Sequence, residues 1–134
     1  MTATELRLEF PAYTPVLIAD AGYAKPTLRW LQDVFWPWFR ADRERKGLRS
    51  WTRRNDCDNF ARAYAQGAAD CHAITAGNDQ EGLAVGEYWY HSRNGLHAVV
   101  IAFTDQGRVY IEPQTGERLQ VTQQEEQSCI FARF

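Results

Sequence analysis

Apolar positions along the chain switch from helical to strand spacing near its middle. Leu28, Leu31, Val34 and Phe35 fall on one side of a 3.6-residue period after Thr27, which predicts a helix capped by that threonine. Pro37 lacks an N–H, so this run is expected to break or kink near Trp36, with a restart at Pro37 and an end at Gly47. A second stripe, Cys57, Phe60, Ala61, Tyr64, Ala65 and Ala68, predicts a longer helix capped by Asn55 or Asp56, with Cys57 in its first turn. Ala76 to Gly82 reads as a loop. Ala84–Tyr90, Leu96–Phe103 and Arg108–Glu112 then read as strands, separated by turn chemistry at Ser92–Gly95 and Thr104–Gly107 and stopped by Pro113. Cys129–Phe134 suits a further strand at a sheet edge.

Helices followed by a meander imply an α+β domain with the Cys57 helix packed on an antiparallel sheet. With 134 residues, 1–134 is expected to be a single domain, and residues 1–26, punctuated by Pro11, Pro15, Gly22 and Pro26, an irregular arm with little helix. Fifteen basic against seventeen acidic side chains give a charge of -2, which argues against nucleic acid as a partner. No apolar run approaches the roughly 20 residues of a membrane span, and MTATELRLEF lacks the pattern of a leader. Three cysteines without disulfide spacing suit a reducing compartment, so a cytoplasmic, membrane-free protein is expected. No Cys-x-x-Cys or His-x-x-x-His pair is present to seed zinc.

Alternation along the Leu96 strand sets His97 on one face with Val99, Ile101 and Phe103. If the Cys57 helix covers that face, thiol and imidazole meet at one end of the interface. Pairing Phe103 with Arg108, or Thr104 with Gly107, sets Glu112 opposite Val99 and Gln114 opposite His97, so either side chain could orient the ring. A three-residue loop with a bulge at Gly107 would turn Glu112 to the other face. A thiol at a helix N-terminus beside an imidazole favours the thiolate, the first-turn N–H groups suit an oxyanion, and a carboxylate or amide fixes the ring. Trp51 and Trp89 are candidate walls of a substrate cleft.

The segments Asn55–Ala61, Gly95-Leu96-His97-Ala98 and Tyr110–Gly116 resemble the papain-like cysteine-protease domain at the C-terminal end of the Marasmius oreades agglutinin and its bacterial and phage relatives. The resemblance covers roughly residues 50–118. It implies a papain-like or transglutaminase-like fold and a Cys57, His97, Glu112 triad that cleaves peptide or amide bonds through an acyl-enzyme, acting on a peptide or protein substrate. No cofactor is required beyond the calcium on which the fungal domain depends, for which Asp56, Asp58 or Asn59 are the candidate ligands. The fungal lectin portion has no counterpart in these segments, so the resemblance does not carry sugar binding with it.

Each residue also has a plainer reading. Cys57 on an apolar stripe can be a small buried hydrophobe, and His97 can simply bridge a carbonyl. Cys71, His72 and Cys129 read as structural, and His91 as solvated. The competing function is a non-catalytic phage or prophage interaction protein that keeps the fold and binds a protein partner through its Trp-rich surface.

Overall fold

The computed structural model describes residues 1–75 and 81–134. Its helices are α1 (Ala3–Leu8), α2 (Trp36–Arg45), α3 (Cys57–Thr75) and α4 (Gln123–Gln127), with a π-helix over Trp30–Phe35. Its strands are β1 (Val16–Leu17), β2 (Tyr23–Ala24), β3 (Gly82–Leu83), β4 (Val85–Ser92), β5 (Gly95–Thr104), β6 (Gly107–Ile111), β7 (Arg118–Leu119) and β8 (Phe131–Arg133). Residues 76–80 of the loop expected from Ala76 lie outside the described residues, and Gly82 already belongs to β3.

Six strands form one sheet in the order β1-β8-β4-β5-β6-β7, and β2 pairs with β3 in a separate parallel ribbon. The large sheet is mixed, because β1 runs parallel to β8. This corrects the expectation of an antiparallel sheet. The last strand is interior rather than an edge, since β8 lies between β1 and β4. The short arm strand made this change invisible: two residues of β1 carry no alternation to read.

The hairpin β5–β6 has the register that parity requires, Phe103 opposite Arg108 and Thr104 opposite Gly107. Asp105 and Gln106 make the two-residue loop, and Gly107 takes the φ of 94° that an L side chain resists. Alternation along β5 then divides the molecule into two cores. Val99, Ile101 and Phe103 pack with Leu6, Phe10, Tyr88, Tyr90 and Tyr110, under the N-terminal arm. Val100 and Ala102 pack with Leu31, Phe35, Phe39, Tyr64 and Ala68, under the helices.

Local chemistry explains the helices. Thr27 accepts the N–H of Trp30 at 3.0 Å. Instead of breaking at Pro37, the chain widens into π turns, with the Trp36 N–H bonded to the Leu31 carbonyl, and runs directly into α2 with Pro37 in its first turn. Pro37 removes one N–H from a helical run that continues on both sides of it, and the wide turns stand just before the proline. In α3 Phe60, Ala61, Tyr64 and Ala68 of the predicted stripe are buried, and its other two members, Cys57 and Ala65, are half-buried. The arm differs from its expected irregularity by opening on α1, where Thr2 and Glu5 form a reciprocal capping box. Thr122 and Glu125 repeat that device at α4.

Candidate functional site

β5 is paired with β4 along Gly95–Ala102, but β6 joins it only from Val100 onward. His97 therefore stands where the sheet has lost its neighbour on one side, and Glu112, the first residue past β6, turns in to meet it. Imidazole Nε2 and carboxylate Oε2 are 2.9 Å apart, with 29% and 16% of the two side chains exposed. The other carboxylate oxygen, Oε1, accepts the backbone N–H of Gln114 at 3.2 Å. The Glu112 carbonyl accepts the N–H groups of Thr115 and Gly116, so the turn after β6 fixes the carboxylate from both ends. Gln114 thus contributes its backbone, while Glu112 takes the ring. Gly116 has φ 76°, and a Cβ there would run into the indole of Trp36, which packs on this turn.

Tyr90 pairs with His97 across the strands, its ring centroid 6.1 Å from the imidazole. Burial pushes its phenol up, and the charges of Glu125 and Glu112 add to that. Trp89 points the other way. Its indole N–H reaches Glu87 Oε2 at 3.4 Å and its ring packs edge-on to Phe131, 6.1 Å away. Trp51 is 56% exposed in the loop before α3. Tyr90 and Trp36 escaped the sequence reading; the register of Tyr90 against His97 was available in the hairpin turn Ser92–Gly95, whereas nothing in the spacing announces Trp36.

Cys57 opens α3 and is half-buried. Arg62 of α3 lies 3.6 Å from Glu87, which pairs with Val100, and Ala65 and Ala69 share a cavity wall with Leu83 and Val85, the latter paired with Ala102. α3 thus advances along β5 from Val100 toward Ala102, and its first residue points back to the Ala98 end. Cys57 and His97 occupy the same end of β5. Yet Tyr64 and Ala68 of α3 pack on Val100 and Ala102, whereas His97 alternates with Val99 and Ile101. The expectation that the Cys57 helix covers the His97 face is corrected by this alternation: the two residues lie on elements of opposite faces.

Asn55 does not cap α3. It is buried, accepts a 2.6 Å hydrogen bond from Arg43, and donates to the carbonyls of Leu48 and Ser50. Asp56 precedes the helix, and its own N–H is capped by Asn59 Oδ1 at 3.3 Å. Asp58 is pushed above the usual carboxylate range, first by its hydrogen bond with Asp56 and then by burial. Of the three side chains that the resemblance implies for calcium, Asp58 meets Arg62 and Asn59 accepts the Asp56 N–H, while Asp56 Oδ1 is buried without a hydrogen-bond partner. Among the described residues no cluster of three or more His, Cys, Asp or Glu side chains suits a metal ion, and no helix is long and apolar enough to cross a membrane. Cys129 is buried in the core, which pushes its thiol up; burial raises Cys71 as well.

A scan against protein-family models finds no match, and neither does a search of the curated proteins. Solved structures do share the fold. One, described as a PSL1a-E64 complex, superposes with a TM-score of 0.78 at 17% identity, covering 100% of this chain and 51% of that one. Another, Polyporus squamosus lectin bound to the human-type influenza-binding epitope Neu5Aca2-6Galb1-4GlcNAc, gives 0.76 at 17% identity, covering 100% and 49%. The chain spans about half the length of the solved chains it matches. These neighbours correct the resemblance drawn from the motifs. The second is named a lectin, and neither is named as the Marasmius oreades agglutinin protease domain, a papain-like or transglutaminase-like protein, a cysteine hydrolase with a Cys-His-Glu triad or a phage protein. What the likeness establishes is a mixed-sheet fold shared with half of a lectin chain.

Proposed function

We propose that this chain is a non-catalytic binding domain whose recognition surface is the corner at which His97, Glu112 and Gln114 converge, and that its partner is a protein segment. One observation carries the reading: a paired imidazole and carboxylate, locked by the following turn yet still partly open to solvent, at the place where β6 leaves the sheet. A hydrogen-bonded pair so held presents fixed donor and acceptor directions at little ordering cost, which is what peptide recognition demands of a surface. Leu96, directly before His97 in the chain, is exposed.

The test is a peptide array probed with the wild-type chain, His97→Ala and Glu112→Gln, together with a casein digestion assay. Peptides retained by the wild type and lost by His97→Ala, at an unchanged melting temperature, support the reading. Casein cleavage that disappears in Cys57→Ala would overturn its non-catalytic character. A glycan is the second reading, favoured by the epitope bound to the Polyporus squamosus lectin. A glycan array run beside the peptide array decides between them, because the corner is expected to serve one and not the other.

A further inference from the structure

A cavity of about 410 Å³ opens between α2, the loop before α3, α3 itself and β8. Its wall holds Arg43, Arg54, Arg62 and Arg133, with Asn55 and Asn59, and, among the described residues, no carboxylate. This concentration of positive charge runs against the chain as a whole, whose formal charge is -2. The acids nearby sit behind the wall: Glu87, buried, lies 3.6 Å from Arg62 and 3.9 Å from Arg133, and Asp58 is 3.3 Å from Arg62. Two carboxylates thus face two of the four guanidinium groups. Arg54 is exposed and makes no ion pair among the described residues.

Arg43 is the informative residue. It is only 8% exposed, an unusual position for a side chain that does not lose its charge. Its guanidinium lies over the Phe60 ring at 5.0 Å, and one terminal nitrogen donates to Asn55. Its Nε is buried without a partner. A guanidinium buried with an unused donor carries an incompletely matched positive charge, and Arg43 does so in the wall of an open basic cavity.

We infer that this cavity binds a tetrahedral oxyanion, the phosphate or sulfate group of a ligand. Arginines supplied from four separate segments line one cavity, which suits an anion offering three or four oxygens better than a planar carboxylate served by one or two forks. The site is independent of the His97 corner and of the partner proposed there.

The experiment is isothermal titration of the full chain with inorganic phosphate, sulfate and acetate at constant ionic strength, against Arg54→Glu, Arg62→Glu and the charge-matched control Arg40→Glu, whose residue is exposed and outside the cavity wall. Saturable binding of phosphate or sulfate, weakened at least tenfold by Arg54→Glu and unchanged by Arg40→Glu, is the expected result. Tighter binding of phosphate than of sulfate, or the reverse, names the source. Acetate binding as tightly would overturn the tetrahedral assignment. No saturable binding, or equal loss in Arg40→Glu, would overturn the site itself. Arg54 is exposed and unpaired, so its replacement leaves the fold intact; the melting temperature without ligand verifies this for each variant.

Discussion

His97 and Glu112, fifteen positions apart, meet Nε2 to Oε2 at 2.9 Å at the level where β5 has outrun β6. The contact is held from the glutamate's side, because Oε1 is tied to the Gln114 N–H. Glu112→Ala removes the acceptor for both donors at once. It is expected to destabilise the chain by about 1 kcal/mol, a partly exposed pair contributing modestly and a half-buried N–H losing its partner adding the rest. Glu112→Gln keeps an acceptor and should lose less. Urea denaturation gives the energies, and amide exchange at Gln114 should quicken in the alanine variant alone; unchanged exchange there would show that the turn does not depend on the carboxylate.

The same turn rests on Trp36. Gly116 combines φ 76° with an indole where its Cβ would be, while Gly107 has φ 94° and open space around it. Gly107→Ala is therefore a measure of backbone strain alone, about 1 kcal/mol. Gly116→Ala adds overpacking and should destabilise by about 2 to 4 kcal/mol in total. Equal urea midpoints for the two variants would mean that Trp36 does not seal the turn.

Asn55 is a structural node rather than a helix cap. It accepts from the buried Arg43 and donates to two carbonyls, of Leu48 and Ser50. Asn55→Ala removes all three bonds and is expected to cost about 2 to 4 kcal/mol, far above the roughly 1 kcal/mol of a lost cap. A loss of under 1 kcal/mol by thermal or chemical denaturation would return Asn55 to the capping role.

The elements with a clear period were legible and the short ones were not. Phe60, Ala61, Tyr64 and Ala68 define α3, and the Asp105-Gln106 loop fixes a parity that carries Glu112 to the His97 side of the sheet. What parity could not supply was which layer covers which face. Val100 and Ala102 are as apolar as Val99 and Ile101, since β5 is buried on both sides and its alternation is lost there. Whether the helix covers the His97 face stays open in the sequence for want of that contrast. The parallel β1–β8 pair, two residues against three, lies below the length at which any pattern exists. Asn55 misled for another reason: a cap residue and a buried amide look alike until the segment around Leu48 and Ser50 is seen folding onto it.

Asp42 gives a pH dependence with a definite sign. It is largely buried near the end of α2, with Lys46 Nζ at 2.7 Å from Oδ2 and Arg45 on Oδ1. The hydrogen bond from Lys46, with the one from Arg45 behind it, holds its carboxyl below the usual carboxylate range despite burial. A depressed value in the folded state means that the folded chain binds this proton less readily than the unfolded one, so stability rises with pH through the interval between the two values. The contribution is complete above the unfolded value of 3.8 and disappears as pH falls through the lower folded one. Asp42→Asn, which retains the shape and loses the charge, should therefore be less stable than wild type by a constant amount at neutral pH, with the gap closing below about pH 4. Urea denaturation of both proteins from pH 7 downward measures the gap directly. Parallel curves through the acid range would show that the two basic neighbours do not hold the carboxylate in solution.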